Sequence, residues 1–208
     1  MNRIQEIMET MKSLEKELIE ELQKKENNCF YKIQGKRVCF DKETKKSHKT
    51  LATRLHAYIL YASSVNVLTV PIIWLCIFPI VFLDLVITIY QSICFRVYRI
   101  PLVKRSDYIV MDRNHLAYLN AVEKLNCAYC SYVSGILSYA QEIVARTEQF
   151  WCPIKHAMKL TTAHNRYRTF IEYGDAEEYR KRFDEVRKDY SDLKEIDNQP
   201  LADQNSRP

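Results

Sequence analysis

The chain has 208 residues, a net charge of +5, seven cysteines and three glycines. About a fifth of it lies in one apolar run, which leaves one or two small pieces and no room for a large enzyme domain. The odd cysteine count, with Cys76 and Cys94 inside that run, argues against a structural disulfide framework, and so few glycines (35, 135 and 174) favour long helices over a many-turned sheet.

Residues 1–26 are expected to form an amphipathic, coiled-coil-like helix, because Ile4, Ile7, Met11, Leu14 and Leu18 recur every three or four positions. So short a seam needs a mate, either the matching C-terminal seam or a second copy in a homo-oligomer. Residues 27–56 read as a small β-hairpin followed by a basic linker. Alternation between Cys29 and Phe40 places Gly35 in the turn and sets Cys29 nearly opposite Cys39.

Residues 57–98 form the membrane-embedded part. From Ala57 to Phe95 the only charge is Asp84, and as one helix this stretch would be about 58 Å long against a hydrocarbon core of about 30 Å. Lys42, Lys45, Lys46, Lys49 and Arg54 precede it, and Arg96, Arg99, Lys104 and Arg105 follow it. Basic flanks at both ends favour a membrane helical hairpin or re-entrant wedge, with both ends cytoplasmic, over a single tilted span. Pro71 and Pro79 weaken the helix where the hairpin would turn, near Cys76 to Pro79. The protein is therefore expected to be integral to a membrane, with its termini and Cys/His domain on the cytoplasmic side. Asp84 is a membrane polar site, expected to be protonated or hydrogen-bonded to Ser63, Ser64, Asn66 or Thr69 on the first arm; an ion or proton site is the alternative.

Residues 99–160 are expected to form a cytosolic helical hairpin domain, opening at an Asp112 cap and breaking near Gly135. Glu123, Cys127 and Cys130 share one helical face, and Glu148, Cys152 and His156 share another. Cys-x2-Cys followed by Cys-x3-His has the donor types of a tetrahedral zinc site, so Cys127, Cys130, Cys152 and His156 are the expected ligands, with iron as the alternative ion. Glu123, Glu142 and Glu148 are additional carboxylate ligands or acid and base groups, as in carboxylate-bridged two-metal bundles. Leu125 to Cys130 resembles the helical Cys-x-x-Cys of the carboxymuconolactone decarboxylase and alkyl hydroperoxidase D-like family, which implies dithiol reduction of peroxides or disulfides by Cys127 and Cys130. That family's His four residues after the second Cys is Ser134 here, and its Glu twelve before the first is His115. Cys152-Pro153 with His156 resembles the Cys-Pro motif of haem-regulated proteins, which implies haem ligation.

Residues 161–196 combine a basic, aromatic stretch with an amphipathic helix capped by Asp175, whose seam is Tyr179, Phe183, Val186, Tyr190 and Leu193. Arg166 to Tyr173 is expected to meet phospholipid headgroups, so the partners are a lipid bilayer and its anionic headgroups, with no nucleic acid. Residues 197–208 read as a disordered tail. Phosphate-loop, HExxH and Ser/His/Asp patterns are absent from the sequence. Three functions follow as expectations: a membrane-anchored zinc-binding interaction or sensing protein, a membrane-bound thiol or metal oxidoreductase, and a membrane-shaping scaffold without metal.

Overall fold

The structure, a computed structural model, describes residues 31–34, 37–53 and 64–193 together with scattered positions between 3 and 21. It is mainly helical, with few strands. The chain divides into two units, Met1–Ser47 with Ser191–Pro208, and His48–Tyr190.

In the first unit, Met11, Leu14 and Leu18 are helical and about half exposed or more, while Ile4 and Ile7 of the same seam lie outside the described residues. Strands β1 (Tyr31–Gln34) and β2 (Arg37–Phe40) pair antiparallel. Their register sets Lys32, and not Cys29, opposite Cys39; Cys29 and Gly35 lie outside the described residues. Helix α1 (Lys42–Thr50) buries no residue, and its Glu43, His48 and Lys49 oppose the helix dipole at the appropriate ends.

The apolar run differs from the expected hairpin. Helices α2 (Ser64–Leu75) and α3 (Ile77–Tyr90) are joined by Cys76 alone, and Cys76 keeps right-handed helical dihedrals, φ −63° and ψ −15°. Its amide bonds to the Ile73 carbonyl at 3.2 Å, one residue tighter than an α-helical bond. Pro79 accounts for this joint, since its ring removes one amide donor and crowds the carbonyl four residues back, that of Leu75. The result is a locally tightened turn and not a reversal. Among the described residues only Arg99 and Gly174 have positive φ, so no residue near Cys76 supplies the left-handed conformation of a tight turn. Val67–Tyr98 is thus one helix, long and apolar enough to cross a membrane.

That helix continues through a π-helical turn, Gln91–Phe95, and ends at Arg99 in the left-handed conformation, φ 58°. The Ile100 amide returns to the Phe95 carbonyl at 2.8 Å, a bond of the kind that closes a helix C-terminus, and buried Ile100 supplies the accompanying apolar contact. Pro101 prevents resumption of helix. A returning segment, 100–120, then runs back along the helix with only short 3-10 turns at Arg105–Asp107 and Arg113–His115.

Helix α4 (Ala121–Trp151) is continuous for 31 residues. It begins at Asn120, not Asp112, with a complete capping box: the Asn120 side chain accepts from the Glu123 amide at 3.0 Å and the Glu123 carboxylate accepts from the Asn120 amide at 2.9 Å. Gly135 does not break it. A Cβ there would stand 2.7 Å from the Tyr108 carbonyl oxygen, so the glycine admits the backbone of the returning segment against the helix. The helix stops at Cys152, φ −142° and ψ 60°, because Pro153 disfavours helix in the residue before it. Pro153 therefore follows a helix end here and does not open a second helix.

Contacts ascend together along the two long helices: Ile73 with Tyr129, Asp84 with Tyr132, Gln91 with Tyr139, and Tyr98 with Phe150. The apolar helix and α4 consequently lie side by side in the same direction, with the returning segment against them. Ile87, Phe95, Ile100, Val103, Tyr139, Ile143 and Phe150 form the core between them. Beyond α4, Ile154 and Ile171 form a parallel bridge, and α5 (Ala176–Val186) starts at Asp175, whose side chain accepts from the Glu178 amide at 2.9 Å. Its seam packs within this unit: Val186 is buried, Tyr190 lies against the core, and Arg187 sits 4.1 Å over the Phe150 ring.

Candidate functional site: polar groups on the apolar helix

One face of the apolar helix carries a row of polar side chains at helical spacing, Asp84, Thr88 and Gln91, and the body packs against that row. Arg105 of the returning segment meets Asp84 with both arms of its guanidinium, Nε at 3.2 Å and Nη2 at 2.6 Å. The Tyr132 hydroxyl donates to the same carboxylate at 2.9 Å and the Thr88 hydroxyl at 3.4 Å. Hydrogen bonding to Asp84 pushes the Arg105 guanidinium above its usual range. Burial, aided by the Asp84 charge, pushes the Tyr132 phenol up as well. Asp84 is thus hydrogen-bonded by Arg105, Tyr132 and Thr88, and of the partners expected for it Ser63 and the side chains of Ser64 and Asn66 lie outside what the structure describes. The partner cation lies 21 positions later in the chain, outside the apolar run.

About two turns beyond Asp84, Gln91 is buried at 6% exposure. Its amide reads the backbone of Val103 in both directions: Nε2 donates to the Val103 carbonyl at 3.3 Å, and Oε1 accepts from the Val103 amide at 3.1 Å. Nε2 also approaches the Tyr139 hydroxyl. A primary amide is the side chain that can satisfy a buried donor and acceptor of one residue together. Gln91 opens the π-helical turn, whose extra residue rotates the helix end so that Phe95 enters the core with no exposure.

At the other end of α4 lies a second buried polar group. The Glu142 Oε1 accepts from Arg146 Nε at 2.7 Å and from Arg166 Nε and Nη2 at 3.1 and 2.9 Å. Arg146 also donates to the Pro101 carbonyl at 2.8 Å, and Arg166 to Gln149 Oε1 at 3.1 Å. This array fastens the loop bearing Arg166 and the start of the returning segment to α4. Arg166 is buried, which corrects its expected place at a headgroup surface, and Arg146 is buried as well. Nearby, burial, with Glu142 adding to it, pushes the Tyr108 phenol up to about 12. Because the folded state holds this proton more tightly than the unfolded chain, with its tyrosine near 10, the associated stability is complete below about pH 10 and falls as pH rises toward about 12. Denaturant titrations at about pH 9 and about pH 11 should show a drop in stability that is smaller in Tyr108→Phe; equal drops in both proteins would contradict it.

The expected zinc ligands do not meet. Cys127 and Cys130 lie near the start of α4, half-buried and exposed, whereas Cys152 caps its end and is exposed. Cys127 and Cys152 are 25 positions apart on unbroken helix, which sets their Cα atoms about 37 Å apart along the axis. His156 stacks on the Tyr167 ring at 6.2 Å beyond that end. The carboxylates are equally dispersed: Glu123 closes the capping box, Glu142 holds two arginines, and Glu148 pairs with His164 at 2.9 Å. Among the described residues no three His, Cys, Asp or Glu are grouped to hold a metal ion.

Arg105, Gln91, Gln149 and Arg166 were the groups missed from the sequence. Gln91 had a signal: an amide within an apolar run costs free energy unless it is bonded. No family model, curated protein or solved structure matches the chain.

Proposed function

We propose that the protein is a membrane-anchored helical scaffold: α2 and α3 hold it on a bilayer, and the body around α4 is presented to partners from there. One observation carries this reading. Phe78, Phe82, Leu85 and Ile89, spaced i, i+4, i+7 and i+11 and so on one helical face, are 70%, 68%, 59% and 50% exposed. A continuous apolar face of this size on a folded body is a lipid or protein contact surface. The opposite face, with Asp84, Ile87 and Gln91, is fixed to the body, so the lipid anchor and the scaffold are one rigid helix.

The reading is tested by placing charge on the exposed face while sparing the fixed one. Phe82→Arg with Leu85→Arg is expected to lower partition of the full chain onto vesicles by roughly a hundredfold or more, since each change removes on the order of 1.5 kcal/mol or more of apolar burial and adds a charge. Circular dichroism would confirm that the helices remain. Unchanged flotation of this folded variant with membranes would sink the reading.

A further inference from the structure

The geometry points to a seat in one leaflet: α3 lies along the membrane plane, its exposed face in the acyl boundary and Arg96 and Arg99 on anionic headgroups, without crossing the bilayer. This inference rests on the membrane-anchored reading above and adds how the anchor is held.

Two features argue against a crossing. Asp84 lies near the middle of Val67–Tyr98, and the Arg105 guanidinium bonded to it is 47% exposed. A perpendicular helix would put this pair at the depth where charge is most costly. The returning segment raises the same objection over its whole length. It runs from Ile100, at the far end, back to Tyr118, which makes an edge contact with His48 at 5.2 Å. Chain before the apolar run and the end of the returning segment therefore meet at one end of the helices. A crossing helix would carry Lys104, Arg105, Asp107, Asp112 and Arg113 through the hydrocarbon with it, as irregular backbone that lipid does not tolerate.

An in-plane seat removes both costs. The fixed face of α3 and the charged segment behind it then point away from lipid, and the face of Phe78, Phe82, Leu85 and Ile89 points toward it. Val97, 71% exposed after the π-helical turn, prolongs this apolar surface to the helix end. There Arg96 and Arg99 are exposed and show no acidic partner among the described residues. Two basic groups beside an apolar face at the helix C-terminus complement an anionic surface, the arrangement of helices that lie in the interface.

Depth measurement decides the matter. Tryptophan is placed singly at Phe78, Leu85 and Val97 in full-length protein carrying Trp74→Phe and Trp151→Phe, on vesicles of phosphatidylcholine and phosphatidylglycerol, and quenched by lipids brominated at different depths. All three positions are expected within about 5 Å of one another, some 5–10 Å below the headgroup boundary. Phe78 and Leu85 at the bilayer centre with Val97 near the surface, as about 28 Å of perpendicular helix between 78 and 97 requires, would overturn the in-plane seat and leave the anchor standing. Absence of quenching at all three would overturn both. Arg96→Gln with Arg99→Gln is expected to weaken partition about twentyfold on anionic vesicles and little on zwitterionic ones; equal loss on both would refute the headgroup contact.

Discussion

Replacing Gly135 by alanine is expected to destabilise the body by roughly 2 kcal/mol, although the same change at an exposed helix position would stabilise by about 1 kcal/mol through helix propensity. The sign is set by space. The new Cβ would lie 2.7 Å from the Tyr108 carbonyl oxygen and 3.0 Å from the Ile109 Cα, both backbone atoms that cannot rotate away. Either the returning segment lifts off α4 or α4 bends, and both loosen Val103 from Gln91. Denaturant unfolding in detergent should show the loss, and amide exchange should rise across residues 100–110. Ser134→Ala, at the exposed neighbouring position, provides the control and should stay within about 0.5 kcal/mol of the parent. A Gly135→Ala protein more stable than the parent would mean that the two backbones do not approach as closely as described.

Removing the carboxylate of Glu142 is expected to cost about 3 kcal/mol, the lower end of the range for breaking a buried ion pair, because Glu142 keeps 20% exposure while both arginines keep 6%. Glu142→Ala takes from Arg146 and Arg166 the acceptor they share, and two guanidinium groups then face each other with less compensation. Combining it with Arg166→Met should recover part of the loss, since an apolar side chain of similar reach replaces a charge in a buried setting at little cost. Thermal unfolding of the two variants beside the parent gives the comparison. A single variant as stable as the parent would show that the array does not hold the Arg166 loop to α4, and a double variant worse than the single would show that charge was not the cause.

The features legible in the sequence were those that depend on near neighbours in the chain. The mainly helical class, the apolar stretch, the pairing of β1 with β2 and the Asp175 cap each follow from spacing or from one residue's preference. The points of failure, the Asp112 cap apart, share a cause: each needed knowledge of what lies across the fold. Gly135 has the composition of a helix break, but its lack of a side chain serves the approach of Tyr108. Pro79 signals a weakened helix, yet whether the chain bends or reverses depends on the residues around it, and Cys76 stays helical. Asp112 and Asn120 both resemble helix caps, and only Asn120 has a glutamate three residues on to complete the box.

Ligand spacing failed for the same reason. Cys-x2-Cys and Cys-x3-His describe donors, but a metal site also needs the two pairs brought together, and one uninterrupted helix holds them apart. By itself, then, the sequence determined that this protein carries one long apolar stretch, since exclusion from water depends on composition along continuous chain. Only the tertiary structure decided which face of that helix is free for lipid and which is fixed to the body. That choice rests on pairings of Asp84 with Arg105 and of Gln91 with Val103, 21 and 12 residues apart, formed by a chain that leaves the helix and comes back along it.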